Sequence, residues 1–108
     1  MKRLTYFDGG KWRLKIGNTE YSGKTVDRLA LSTYGPDAQA LMVFEEMAEL
    51  QKELCKHARG KDNQFAIAEE IADVLIMLDQ MMVLHDCESI VAQYKQDKLE
   101  RLEERLKQ

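Results

Sequence analysis

The chain has 108 residues, enough for one domain with a modest core and too few for a second fold. Apolar residues make up 44% and charged residues 32%, with a single proline, so the composition is that of a globular chain rather than a disordered or fibrous one. Net charge is only −3, with 16 basic residues set among 19 acidic ones, which speaks against a duplex nucleic acid partner. No run of about 18 uncharged apolar residues occurs and no apolar signal core follows Met1, so the expected location is cytoplasmic, away from any membrane. Cys55 and Cys87 lack metal-ligand or CxxC spacing and are expected as reduced thiols.

In chain order, Leu4–Phe7 and Trp12–Ile16 flank the Gly9-Gly10 turn as two short strands, and Thr19-Glu20-Tyr21 adds a third. This predicts a small β-ribbon over residues 1–24, which must pack on something else to be stable. A helical domain is expected over 25–108. Thr25 is a cap for a short helix through Leu31, and Ser32 to Pro36 reads as a loop, with Pro36 suited to the first turn of a longer helix. That helix runs to about His57, with Leu41, Phe44, Met47, Ala48, Leu50, Leu54 and Cys55 as its core side and Gly60 as a stop signal. Asn63 is expected to cap the next helix, Gln64 to about Leu84, in which 15 of 21 positions are apolar. Three helices of one chain cannot cover so apolar a helix, so burial in a bundle or between copies is expected. His85-Asp86-Cys87 is a tight connection with Asp86 as a cap. The last helix, from Glu88 onward, carries a thinner stripe of Ile90, Tyr94, Leu99, Leu102 and Leu106.

The fold expected is therefore mainly α: an antiparallel helical hairpin plus a C-terminal helix, with the N-terminal ribbon attached. Within the hairpin, Glu46 with Glu49 and Glu70 with Asp73 lie three apart, so each pair shares a helix face. Positions 46 and 73, and positions 49 and 70, are both centred between Arg59 and Gly60, where the glycine independently places the turn. An antiparallel hairpin then brings four carboxylates to one level. Four such groups do not all stay ionised without a cation among them. Oxygen ligands with no paired His or Cys favour Mg²⁺, with Mn²⁺ a chemically similar substitute. A carboxylate-held Mg²⁺ keeps positions free for phosphate oxygens, which points to phosphoanhydride hydrolysis, and an adjoining Glu such as Glu45 or Glu69 is a candidate general base. Against this stands a plain alternative in which Glu69, Glu70, Asp73 and Gln80 form the wet side of an amphipathic helix.

Glu46-x-x-Glu49, twenty intervening residues, then Glu70-x-x-Asp73, each pair preceded by a further Glu, resembles the signature of the MazG-like all-α nucleoside triphosphate pyrophosphohydrolases. Tyr34-Gly35-Pro36-Asp37-Ala38-Gln39 ahead of the first pair and Lys98-Leu99-Glu100-Arg101-Leu102 after the second extend the likeness over about residues 30 to 106. The resemblance implies Mg²⁺-dependent cleavage of a nucleoside or deoxynucleoside triphosphate to monophosphate and pyrophosphate by a homodimer or homotetramer. It implies Glu46, Glu49, Glu70 and Asp73 as metal ligands, with Lys95, Lys98 and Arg101 holding phosphates. The alternative for these cations is pairing within the helix, for instance Asp97 with Arg101, and Arg105 is read that way. Gln39, two turns before Glu46, is a candidate base or sugar contact whose alternative is a surface amide. His57 and His85 are read as helix-end residues, the methionines as adaptable packing, and Trp12 and Tyr21 as anchors of the ribbon. The competing class is a non-enzymatic helical oligomerisation or adaptor module with the last helix as an arm. That helix lacks the sustained apolar heptads a coiled coil needs.

Overall fold

In the computed structural model of the chain, the backbone is described for residues 3–8, 11–16 and 19–108, and the side chains for residues 22–108. Three short antiparallel strands come first, β1 (Arg3–Asp8), β2 (Lys11–Ile16) and β3 (Thr19–Ser22), in the order β1-β2-β3. The packing expected of Trp12 and Tyr21 lies outside the described side chains. From there on the chain is helical: α1 (Gly23–Tyr34), α2 (Pro36–Ala58), α3 (Gln64–Leu84) and α4 (Glu88–Leu106). Among the described residues no helix is long and apolar enough to cross a membrane.

The helix ends show where local chemistry decides. Ser22, not Thr25, caps α1: its Oγ accepts a hydrogen bond from Thr25 N–H at 3.2 Å. The loop expected over 32–36 contracts to one residue. Gly35, at φ 92°, turns the chain within a single step while its N–H still bonds Leu31 O. Pro36 then starts α2 with a φ already suited to a helix. At the other end of α2, Gly60 (φ 98°) donates its N–H to His57 O, and Lys61 N–H reaches back to Lys56 O. This glycine-centred double bond pattern is why the helix stops where the sequence says. Asn63 occupies the N-cap position of α3 as expected, its carbonyl accepting from Ile67 N–H at 3.0 Å, but its side chain makes no capping bond. Asp86 does not cap α4 either: it takes a positive φ of 49°, and Cys87 O accepts the first helical bond from Val91 N–H.

α2 and α3 form the antiparallel hairpin, with α1 laid across them and α4 leaving from the end of α3. Which face of α2 looks inward differs from expectation. Leu41 (62% exposed), Phe44 (67%) and Leu54 lie on the outside, whereas Gln39, Glu46 and Glu53 turn toward α3. Gln80 of α3 and Asn63 just before it meet α2 on this side through amide bonds, and of the apolar positions expected to face inward Leu50 alone is half-buried. On α3, Phe65, Ile71, Leu75 and Ile76 are likewise exposed, and among the described residues Met77, 6% exposed, is the one buried apolar residue. Met42, Val43 and Leu50 of α2 and Ile67, Val74 and Met77 of α3 are half-buried or buried, so polar and apolar side chains share the interior of the hairpin.

Candidate metal centre

Near the middle of the hairpin, Glu46 from α2 faces Glu70 and Asp73 from α3. One carboxylate oxygen from each lies within 4.8 Å of the others, and all three residues are half-buried. The register inferred from the sequence thus places three of the four expected carboxylates together. Glu49, the fourth, is exposed and stands outside that set, although it is close enough to Glu70 and Glu46 to act on both electrostatically. Burial, and then the neighbouring Asp73 and Glu70 charges, push the Glu46 carboxyl above the ordinary carboxylate range. Glu70 is raised by burial, then by Asp73, Glu49, Glu69 and Glu53. One oxygen of Glu70, Oε2, is buried with no hydrogen-bond partner. These residues fit a hard divalent cation: an all-oxygen donor set, charges raised against one another, and an acceptor atom left unsatisfied.

Glu45 and Glu69 each adjoin a member of the cluster and are exposed. Gln39 is buried and not a surface amide. Its Nε2 donates to Gln80 Oε1 at 2.6 Å, closing the groove two turns from Glu46 on the α1 side. Gln80 is only 5% exposed, and its amide is close enough to Asp27 of α1 to act on that carboxyl. The wet stripe weighed as an alternative therefore divides: Glu69 is exposed, Glu70 and Asp73 are half-buried, and Gln80 is interior. On the turn side, Asn63 Nδ2 donates to Glu53 O at 2.9 Å and to Glu53 Oε2 at 3.0 Å, while Lys56 pairs with Glu53 Oε1 at 3.3 Å.

Lys95, Lys98 and Arg101 are exposed on α4, which meets α3 at its start and does not approach α2. Within one chain they are not brought to the carboxylates. Asp97 accepts from Gln93 Nε2 at 3.0 Å, and among the described residues it forms no ion pair with Arg101. His57 Nδ1 sits 3.2 Å from Lys61 O, in keeping with a helix-end role.

Four polar residues of this groove escaped the sequence reasoning. Asp27 and Glu53 carried no motif. Asn63 was taken as a cap, and Gln80 as a solvated side chain. The signal for Gln80 was its spacing of seven from Asp73, which returns it to the same helix face. Comparison with protein-family models, with curated proteins and with solved structures finds no match to this chain.

Proposed function

We propose that the chain is a cytoplasmic, Mg²⁺-dependent hydrolase that cleaves a nucleoside or deoxynucleoside triphosphate to the monophosphate and pyrophosphate, like the MazG-like enzymes its motif resembles. The convergence of Glu46, Glu70 and Asp73 carries this reading. Glu46, Glu70 and Asp73 would hold Mg²⁺ or Mn²⁺, with Glu49 swinging in from its exposed position. The ion supplies charge neutralisation and polarisation of the triphosphate. Glu45 or Glu69, each exposed and adjoining a member of the cluster, would take the proton from the attacking water. Gln39, its amide spent on Gln80, shapes the end of the groove where the base or sugar would lie.

Association as a homodimer or homotetramer belongs to the same proposal. An accessible surface of 8800 Å² exceeds the roughly 6200 Å² of a compact monomer of this mass. The excess is carried in part by the outward stripes of α2 and α3, which a second copy would cover. Because α4 does not approach α2 within a chain, Lys95, Lys98 and Arg101 would reach a bound triphosphate from another copy. Those same exposed stripes favour, as a second reading, a helical oligomerisation module without activity. It leaves the carboxylate cluster without a purpose.

The test incubates the purified chain with pooled ribo- and deoxyribonucleoside triphosphates and Mg²⁺, and measures pyrophosphate and orthophosphate separately. Pyrophosphate from at least one nucleotide, abolished by chelator, is expected. Orthophosphate alone, chelator-insensitive release or no release overturns the proposal.

A further inference from the structure

The groove is held at both ends by buried amides: Gln39 with Gln80 on the α1 side and Asn63 with Glu53 on the turn side. The carboxylates lie between them. Asn63 is 7% exposed, and its Nδ2 donates to both the backbone and the carboxylate of Glu53. It stands where a helix cap stands, and a side chain serving the helix would turn Oδ1 to an N–H of the first turn of α3. Here Oδ1 makes no bond at all and is buried. Asn63 has given up the cap in order to bind α2. Glu53 lies one turn beyond Glu49, and Asn63 two turns before Glu70, so this bond sets the sliding and rotation of the two helices next to the cluster. Like charges across the groove push the helices apart when no cation is present.

We propose that Asn63 is a positioning residue that, through Glu53, holds α2 and α3 in the register that brings Glu46, Glu70 and Asp73 together before any ion binds. This rests on the metal reading above for its consequence, but not for its mechanical part. Glu53 is suited to the role: the Asn63 amide, ahead of Lys56, holds its carboxyl below the ordinary range, so it remains an ionised acceptor.

The informative variant is Asn63→Ser. Serine is an equally good helix cap, but a single hydroxyl hydrogen cannot serve both acceptors on Glu53. If Asn63 matters only to the helix start, the variant behaves as the parent. The expected result is unchanged helix content by circular dichroism, with Mg²⁺ affinity by titration calorimetry about tenfold weaker, the size typical of groups that orient metal ligands. In chelator, amide exchange across residues 46–53 and 66–73 is expected to be faster than in the parent. Parent-like exchange in the metal-free variant overturns the clasp. A parent that binds Mg²⁺ and a variant that binds it equally well overturn its role at the site. A parent that binds no Mg²⁺ removes the metal reading instead, and the exchange comparison still decides the clasp.

Discussion

Asp27→Asn should make the protein more stable at pH 8 and not at pH 4. Asp27 is 9% exposed on α1, and burial, with the Asp79 charge adding to it, raises its carboxyl from an ordinary 3.8 to about 6, although the Gln80 amide pulls the other way. A carboxyl so displaced costs the folded state up to about 3 kcal/mol once ionised, and about 1–2 kcal/mol after allowance for partial solvation. The folded chain holds this proton more tightly than the unfolded one. Its stabilising share is therefore complete below about pH 4 and is lost as pH rises through about 6. Asparagine keeps the shape and the acceptor for Gln80 and carries no charge at any pH. Urea unfolding of parent and variant, followed by circular dichroism from pH 4 to pH 8, isolates this residue, because carboxyls common to both proteins cancel in the difference. The difference should grow in the variant's favour from pH 4 upward and level off above about 6. A difference independent of pH would refute the account of Asp27.

Three further outcomes follow from the same geometry. Asp73→Asn should lower pyrophosphate release by at least about a hundredfold, since a ligand of the ion that positions the phosphates is lost; turnover like the parent's in a phosphate-release assay would count against the site. The parent should give a light-scattering mass that is a multiple of 12.5 kDa, and Phe44→Glu, in the middle of the exposed stripe on α2, should reduce it to that of one chain; a parent that is itself monomeric contradicts the association. Gly60→Ala should cost about 1 kcal/mol in urea unfolding, because the strain lies in the backbone at φ 98° and a Cβ meets nothing within 4 Å; unchanged stability would refute it.

The helices were legible where local signals are strong. Gln64–Leu84 has the expected bounds, α4 begins at the expected Glu88, and Gly60 ends the hairpin's first arm. The same glycine set the symmetry that pairs position 46 with 73. The orientation of α2 was not legible, because its apolar stripe and its acidic and amide positions occupy different faces and either could look inward. Hydrophobicity alone chose the first. What decides is a handful of specific bonds, Gln39 to Gln80 and Asn63 to Glu53, between residues 41 and 10 apart in sequence. Asn63 misled for a related reason: its residue type predicts a cap, and only the neighbouring helix reveals the competing acceptor. Gly35 was read as part of a loop because nothing local says that one residue suffices to turn the chain.

The central claim is that Glu46, Glu70 and Asp73, with Glu49 drawn in, form a cation site, and Mg²⁺-dependent melting of the parent beside Asp73→Asn tests it most directly. An ion that binds only the folded chain adds about 2.7 kcal/mol at a hundred times its Kd. For a domain of this size that raises the melting temperature by roughly 10 °C or more. The parent should show this rise with MgCl₂ over a KCl control of equal ionic strength, and Asp73→Asn should show much less of it. Equal and slight shifts in the two proteins would contradict the account.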